Sequence, residues 1–172
     1  MSFEIAKIIV VCLIVFLGFT AFTGAPYVPS MKKELRQAFK KLYPLKKKDF
    51  LVDLGSGDGV VLKIASEFGA SGLGVELNPL LALISKIRLR KHPNLSIKNG
   101  NLFKLDFPKE TTVVYIFGDS RDILDIVIHV QNQANKLGKK LFLISNAFMI
   151  PGYEPVNQHR SYFLYEIKPT IS

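Results

Sequence analysis

A chain of 172 residues, 48% hydrophobic and 22% charged, fills one domain with room for a small appendage and is too apolar for a disordered sequence. Its single cysteine, Cys12, excludes an intrachain disulfide, and His92, His129 and His159 are too isolated to suggest a metal cluster. The net charge of +9 is concentrated: residues 31–48 hold eight basic residues against Glu34 alone, seven of the nine net charges, which leaves the remainder nearly neutral and argues against a nucleic-acid-binding face spread over the fold.

The first element in chain order is apolar. Residues 8–22 carry no charge, and the apolar character persists weakly to Ala25. As a helix, residues 8–25 span roughly 27 Å, enough for a bilayer core. A cleaved signal peptide fits less well, because Lys7 is offset by Glu4 and the small-residue cleavage point after Ala25 is followed by Pro26. An interfacial helix would need a polar face that this run lacks. Residues 1–25 are therefore expected to form a retained, single-pass transmembrane helix, with Cys12 as a packing residue. The basic residues beyond its C-terminal end place the rest of the chain on the cytoplasmic side, or its mitochondrial-matrix equivalent. The Lys/Arg collar at 32–48 is expected to hold anionic lipid, at about 1 kcal/mol per basic residue near the surface.

Residues 26–48 read as a basic linker and helix. The linker Gly-Ala-Pro-Tyr-Val-Pro-Ser (24–30) leads into an amphipathic helix starting near Met31, with Ser30 as candidate cap and Pro44 as its end. From 49 to 172 strands and helices alternate. Strand one is predicted at about 49–54, a helix at 59–68 stopped by Gly69, and strand two at 72–76. A helix follows from Pro79, capped by Asn78. Strand three is expected near 95–98 and strand four at 112–117. A helix carrying Ile123, Leu124, Val127, Ile128, Val130 and Leu137 then stops at Gly138, with His129 as a surface or boundary residue on it. Strand five is expected at 140–145 and a last strand at 161–167. This alternation implies an α/β fold with a mostly parallel sheet covered by helices on both faces.

The most informative residues are Asp-Phe-Leu-Val-Asp-Leu-Gly-Ser-Gly-Asp-Gly (49–59), a strand that runs into a glycine turn. Gly55, Ser56 and Gly57 let a ligand lie against the main chain. The dinucleotide fingerprint would require glycine where Val60 stands. Asp53, two residues before the first glycine, would repel a pyrophosphate but can hold the ammonium of a methionine moiety. S-adenosylmethionine (SAM) is therefore the better ligand. Glu76 falls at the carboxyl end of strand two, 19 residues after Gly57, where an acid can accept both ribose hydroxyls; Leu77 follows it at the same rim. An ordinary strand–helix turn with a surface acid explains either motif alone, but explains the two less well in this order and at this spacing.

The ends of strands three and four border the same pocket. Asn101 can bond an adenine amino group and Leu102 can pack on its ring, although a plain turn asparagine reads the same way. After strand four comes Tyr115-Ile-Phe-Gly-Asp-Ser (115–120), without the Pro-Pro-aromatic turn common to methyltransferases of base or glutamine nitrogens. Asp119 faces an acceptor or caps the next helix. Tyr115, Phe117 and Tyr153 either shape an acceptor channel or serve the core, and Phe117, at the end of strand four, is also expected to line the cofactor pocket.

With Asp-Leu-Gly-Ser-Gly-Asp-Gly, Gly-Val-Glu-Leu-Asn-Pro and Asn-Gly-Asn in place, residues 26–167 resemble class I, seven-strand SAM-dependent methyltransferases. The N-terminal apolar run, Pro-Tyr-Val-Pro-Ser (26–30) and Pro-Gly-Tyr-Glu-Pro (151–155) resemble, more closely, a membrane-anchored protein lysine methyltransferase family. Mitochondrial members of that family modify the adenine nucleotide translocase and the c-subunit of ATP synthase. The resemblance implies a Rossmann-like fold, SAM as cofactor, no metal, and Tyr27 and Val28 folded over the cofactor. It implies a protein substrate at or in the membrane rather than nucleic acid. Tyr115 and Asp119, at the end of strand four, stay the candidate catalytic residues, with core and helix-cap roles as their alternatives. The chain departs in having Asn101 where many class I enzymes have aspartate, and in the short Gly118-Asp119-Ser120 turn. Two other functions fit the same residues: methylation of a small or lipid-soluble acceptor such as a quinone or lipid headgroup, and a non-catalytic module that only binds SAM.

Overall fold

The computed structural model describes residues 3–12, 32–117 and 122–170. Most of the expected anchor, the Pro-Tyr-Val-Pro-Ser segment with Tyr27 and Val28, and the turn with Asp119 lie outside them. Residues 3–12 are helical (α1), and Cys12, expected to pack, is exposed there because no described residue covers that side of the helix. Among the described residues, no helix is long and apolar enough to cross a membrane.

The remaining elements are α2 (Lys32–Lys41), β1 (Phe50–Leu54), α3 (Val60–Glu67), β2 (Ser71–Glu76), α4 (Pro79–Leu89), β3 (Leu95–Asn99), β4 (Val113–Phe117), α5 (Ile123–Leu137), β5 (Leu141–Asn146), β6 (Asn157–His159) and β7 (Tyr162–Ile167). The strands form one seven-stranded sheet in the order β3-β2-β1-β4-β5-β7-β6. β3, β2, β1, β4 and β5 are parallel, and β7 and β6 close one edge antiparallel. The short β6 is not expected from the sequence: Asn-Gln-His carries no alternating apolar signal, and it joins the sheet only by pairing with β7. A short 3-10 turn at Leu102–Lys104 follows Asn101, whose turn reading is its one local signal.

Chain direction fixes the layers. β1, β2 and β3 step outward one way, so right-handed crossovers place α3 and α4 on the same face. From β4 to β5 the chain steps the opposite way, which places α5 on the other face. One core cluster joins α2 and α3 to Leu51, Val113 and Tyr115 of the sheet. The other joins α5 to Val52, Leu54, Val114 and Ile116. Side chains alternate along β1, so Asp53 shares the face of Leu51 and lies between Gly74 and Tyr115 on the neighbouring strands.

α2 belongs to this core. Leu35, Ala38 and Phe39 are fully buried, and Phe39 meets Phe68 and Tyr115 edge-on at ring distances of 6.1 and 6.4 Å. Its lysines face out while its apolar stripe completes the layer over α3.

Candidate functional site

Beyond β1 the backbone follows a path that suits glycine. Gly55, Gly57 and Gly59 have φ of 77°, 53° and 78°, in the left-handed region. Gly59 has a second constraint, since an added Cβ would lie 2.1 Å from Ser85 Oγ on α4. The N–H groups of Gly55 and Ser56 both donate to Val75 O at 2.9 Å, which ties the turn across to β2. Gly74 is kept free of a side chain for a related reason: a Cβ there would stand 2.6 Å from Ser56 Oγ.

Glu76 acts as a strut beneath the turn. Its Oε2 accepts from the Gly57 N–H at 2.7 Å and its Oε1 from the Asn78 N–H at 2.8 Å. The sequence alone leaves both oxygens for ribose hydroxyls, whereas in the fold each already accepts one backbone N–H. A carboxylate oxygen has a further lone pair, so Glu76 can hold the turn and accept hydroxyls as well. Asn78 Oδ1 caps α4 by accepting from Leu80 and Leu81 N–H at 2.9 and 3.3 Å. Asn99 Nδ2 donates to the carbonyls of Glu76 and Leu77 at 2.8 and 3.1 Å, so the end of β3 fixes the rim.

Asp53 is only 1% exposed. Burial raises its pKa well above the usual carboxylate value, and the charges of Glu76 and Asp58 raise it further. Its Oδ2 has no partner, and neither do Ser56 Oγ, Asn78 Nδ2 and Ser85 Oγ. Among the described residues, these are four of the five buried side-chain polar atoms left unsatisfied; the fifth is His129 Nε2. Buried polar atoms are nearly always hydrogen-bonded; Asp53 Oδ2 and Ser56 Oγ, at the turn, can accept from a cationic ligand lying on it, whereas Asn78 Nδ2 can only donate. An ammonium would return Asp53 to its charged form.

The rim residues fall in place unevenly. Leu77 is exposed at the head of α4. Asn101 Oδ1 accepts from Phe103 N–H at 2.9 Å, as the cap of the 3-10 turn, and Leu102 packs partly on the core. Phe117 ends β4 half-buried. Tyr115 is 1% exposed, and its hydroxyl accepts from Asn146 Nδ2 at 3.1 Å. Asn146 Oδ1 accepts in turn from Ser161 Oγ at 3.1 Å. Tyr162 bonds Tyr115 as well, and burial and the charge of Glu34 push its pKa up to about 12. Ala147, next in the chain, has φ of 76°. This buried polar network at the carboxyl ends of β4 and β5 is not legible in the sequence, because Asn146, Ser161 and Tyr162 are far from Tyr115 along the chain. Tyr153 is exposed after the turn at Pro151. His129 is half-buried with its ring edge-on to Phe103 and Phe107, and burial lowers its pKa, which makes it a boundary residue as expected.

Comparison with known proteins agrees with this geometry. The family described as the ANTKMT methyltransferase domain matches residues 53–157. The lysine N-methyltransferase of the ATP synthase c-subunit from Homo sapiens is 33% identical over 104 residues, covering 59% of this chain and 43% of that protein. The Caenorhabditis elegans protein of the same name is 40% identical over 102 residues, covering 52% of each. The chain thus spans about half the length of the curated relatives it matches. An RNA methyltransferase from Salinibacter ruber, solved with S-adenosyl-L-homocysteine, superposes with a TM-score of 0.75 at 24% identity, covering 84% of this chain and 97% of that one; at this identity it shows the shared fold. With a seven-strand class I methyltransferase fold and a family match that takes in the glycine turn, Glu76 and β4, the chain belongs to the ANTKMT methyltransferase domain family.

Proposed function

We propose that this chain is a membrane-anchored SAM-dependent methyltransferase whose acceptor is a lysine of a membrane protein. The observation that carries the cofactor half is the buried, unpartnered Asp53 carboxyl at the foot of a glycine turn that Glu76 holds open. Asp53 takes the ammonium of the methionine moiety, Glu76 the ribose hydroxyls, and Leu77, Asn101 and Leu102 border the adenine. Bound there, SAM supplies an electrophilic methyl group on a sulfonium. The chain positions and desolvates the two reactants, and orientation alone accounts for much of such an acceleration. An acceptor lysine must arrive as the free amine, which a partly desolvated mouth beside a cation favours by lowering its pKa.

Lysine as acceptor is supported by the curated relatives, which are named as lysine N-methyltransferases of the ATP synthase c-subunit. The absence of a Pro-Pro-aromatic turn after β4 also weighs against base-nitrogen acceptors. The anchor rests on the uncharged run at 8–22 and the basic residues that follow it, with the domain on the cytoplasmic or matrix-equivalent side. Tethering raises the effective concentration of acceptors in the same bilayer. The test has two parts. Calorimetry should show SAM and S-adenosylhomocysteine binding more tightly than NAD, and acid hydrolysates of membrane protein incubated with labelled SAM should contain labelled methyl-lysine. Tighter NAD binding, or label found only in nucleic acid or in organic extract, would sink the reading.

A further inference from the structure

Outside the collar the charge is not evenly neutral. From Leu77 to Leu105 the chain has no Asp or Glu and holds Lys86, Arg88, Arg90, Lys91, Lys98 and Lys104. α4 lies within this stretch and carries an apolar stripe on its outer side. Leu80, Leu83, Ile84 and Ile87 are 47%, 53%, 39% and 56% exposed, at the i, i+3, i+4, i+7 spacing of one helix face. Leu77, 46% exposed, extends the stripe to the pocket rim. Isolated exposed leucines need no explanation, but four apolar residues on one helix face with a fifth at its head mark a contact surface. The inner side of α4 is already used, since Leu81, Ala82, Ser85 and Leu89 are buried.

We infer that α4 is an interfacial helix which lays this stripe on an anionic phospholipid surface, with the mouth of the cofactor pocket turned towards the bilayer. Charge complementarity selects the occupant. Arg88 is held by Asp58, but Lys86, Arg90 and Lys91 form no ion pair among the described residues. A shallow cleft beside the stripe is lined by Lys86, Arg90 and His92 and contains no acid, which suits a headgroup phosphate. α2, with its outward lysines, belongs to the same helical layer. α5 provides the contrast: Leu124 and Ile128 are also exposed, but Asp122 and Asp125 stand beside them and would repel an anionic surface. An apolar face flanked by basic side chains is how a helix lies in the headgroup region.

The test uses the full chain with Cys12→Ser and one new labelling site, either Ile84→Cys, Ile87→Cys or the opposite-face control Asn132→Cys, carrying an environment-sensitive fluorophore. The readout is quenching by lipid-borne quenchers in phosphatidylcholine vesicles with and without phosphatidylserine, a measurement independent of catalysis. Severalfold stronger quenching at 84 and 87 than at 132, dependent on phosphatidylserine and reduced by Lys86→Gln, Arg90→Gln and Lys91→Gln together, is expected. Equal quenching at all three positions overturns the inference even if the chain is anchored. So does a chain that stays off anionic vesicles, or a label at 84 shielded only when a protein partner is added.

Discussion

Asp53 and Gly59 show how much chemistry a few positions hold. Asp53 keeps its proton more tightly in the fold than in the unfolded chain, because burial and the charges of Glu76 and Asp58 oppose its anion. Its contribution to stability is therefore fully present below the unfolded value near 4, and is lost as pH rises through the higher folded value. In thermal melts Asp53→Asn should flatten this decline in the ligand-free protein, and in calorimetry it should weaken SAM by roughly 10- to 100-fold, through loss of a charge-assisted bond of about 1.5–3 kcal/mol. Gly59→Ala should destabilise by at least about 1–2 kcal/mol from its left-handed φ alone, with a further loss from the 2.1 Å approach to Ser85 Oγ. In a double-mutant cycle of chemical denaturation, Ser85→Ala should restore the part due to the hydroxyl and leave the φ part and the tight contacts with Ser85 Cβ and Leu89 Cδ1. The glycines and the two acids are legible in the sequence because their chemistry depends on local spacing. The strut role of Glu76 is not, because it depends on where the N–H groups of Gly57 and Asn78 end up in space.

At the scale of elements, periodicity and caps locate β1 to β5, α3 to α5 and β7 to within a few residues, because nearly all bury an apolar face; β3, which buries only Leu95, is the exception. They fail at β6, which has no such face. The division into a basic linker-helix at 26–48 and a domain from 49 separates α2 from a core in which Leu35 and Phe39 are fully buried. The amphipathic pattern of this helix is legible, but the core it joins is not. Phe39→Ala should therefore cost about 3–5 kcal/mol, measured by denaturant unfolding. The Arg36–Glu67 bridge between α2 and α3 is exposed, and Arg36→Gln should change stability by less than about 1 kcal/mol. A chain starting at Lys32 should melt close to the full chain, and one starting at Lys46 should not fold cooperatively. Equal melting of the two would show that α2 is dispensable.

For the whole molecule, the sheet order brings the glycine turn, Glu76 and the Tyr115–Asn146–Tyr162 network to one edge, while α2 and α4 give one helical layer a basic, partly apolar surface. The family and the cofactor chemistry can be read from two short motifs. The buried Tyr115–Asn146–Tyr162 network cannot, since it joins β4, β5 and β7 through pairing that no local pattern encodes. Activity should rise with pH towards the perturbed pKa of the acceptor lysine, because only the free amine attacks. The central claim is that Asp53 and its glycine turn serve methyl transfer to a protein lysine in the membrane. The most direct measurement is peptide mass spectrometry of a membrane-protein fraction incubated with methyl-labelled SAM and vesicle-reconstituted full chain, run beside Asp53→Asn. The account predicts label on lysine Nε with the wild type and a loss of at least about tenfold in the variant at subsaturating SAM. Label in the variant equal to wild type, or label on no lysine at all, would contradict it.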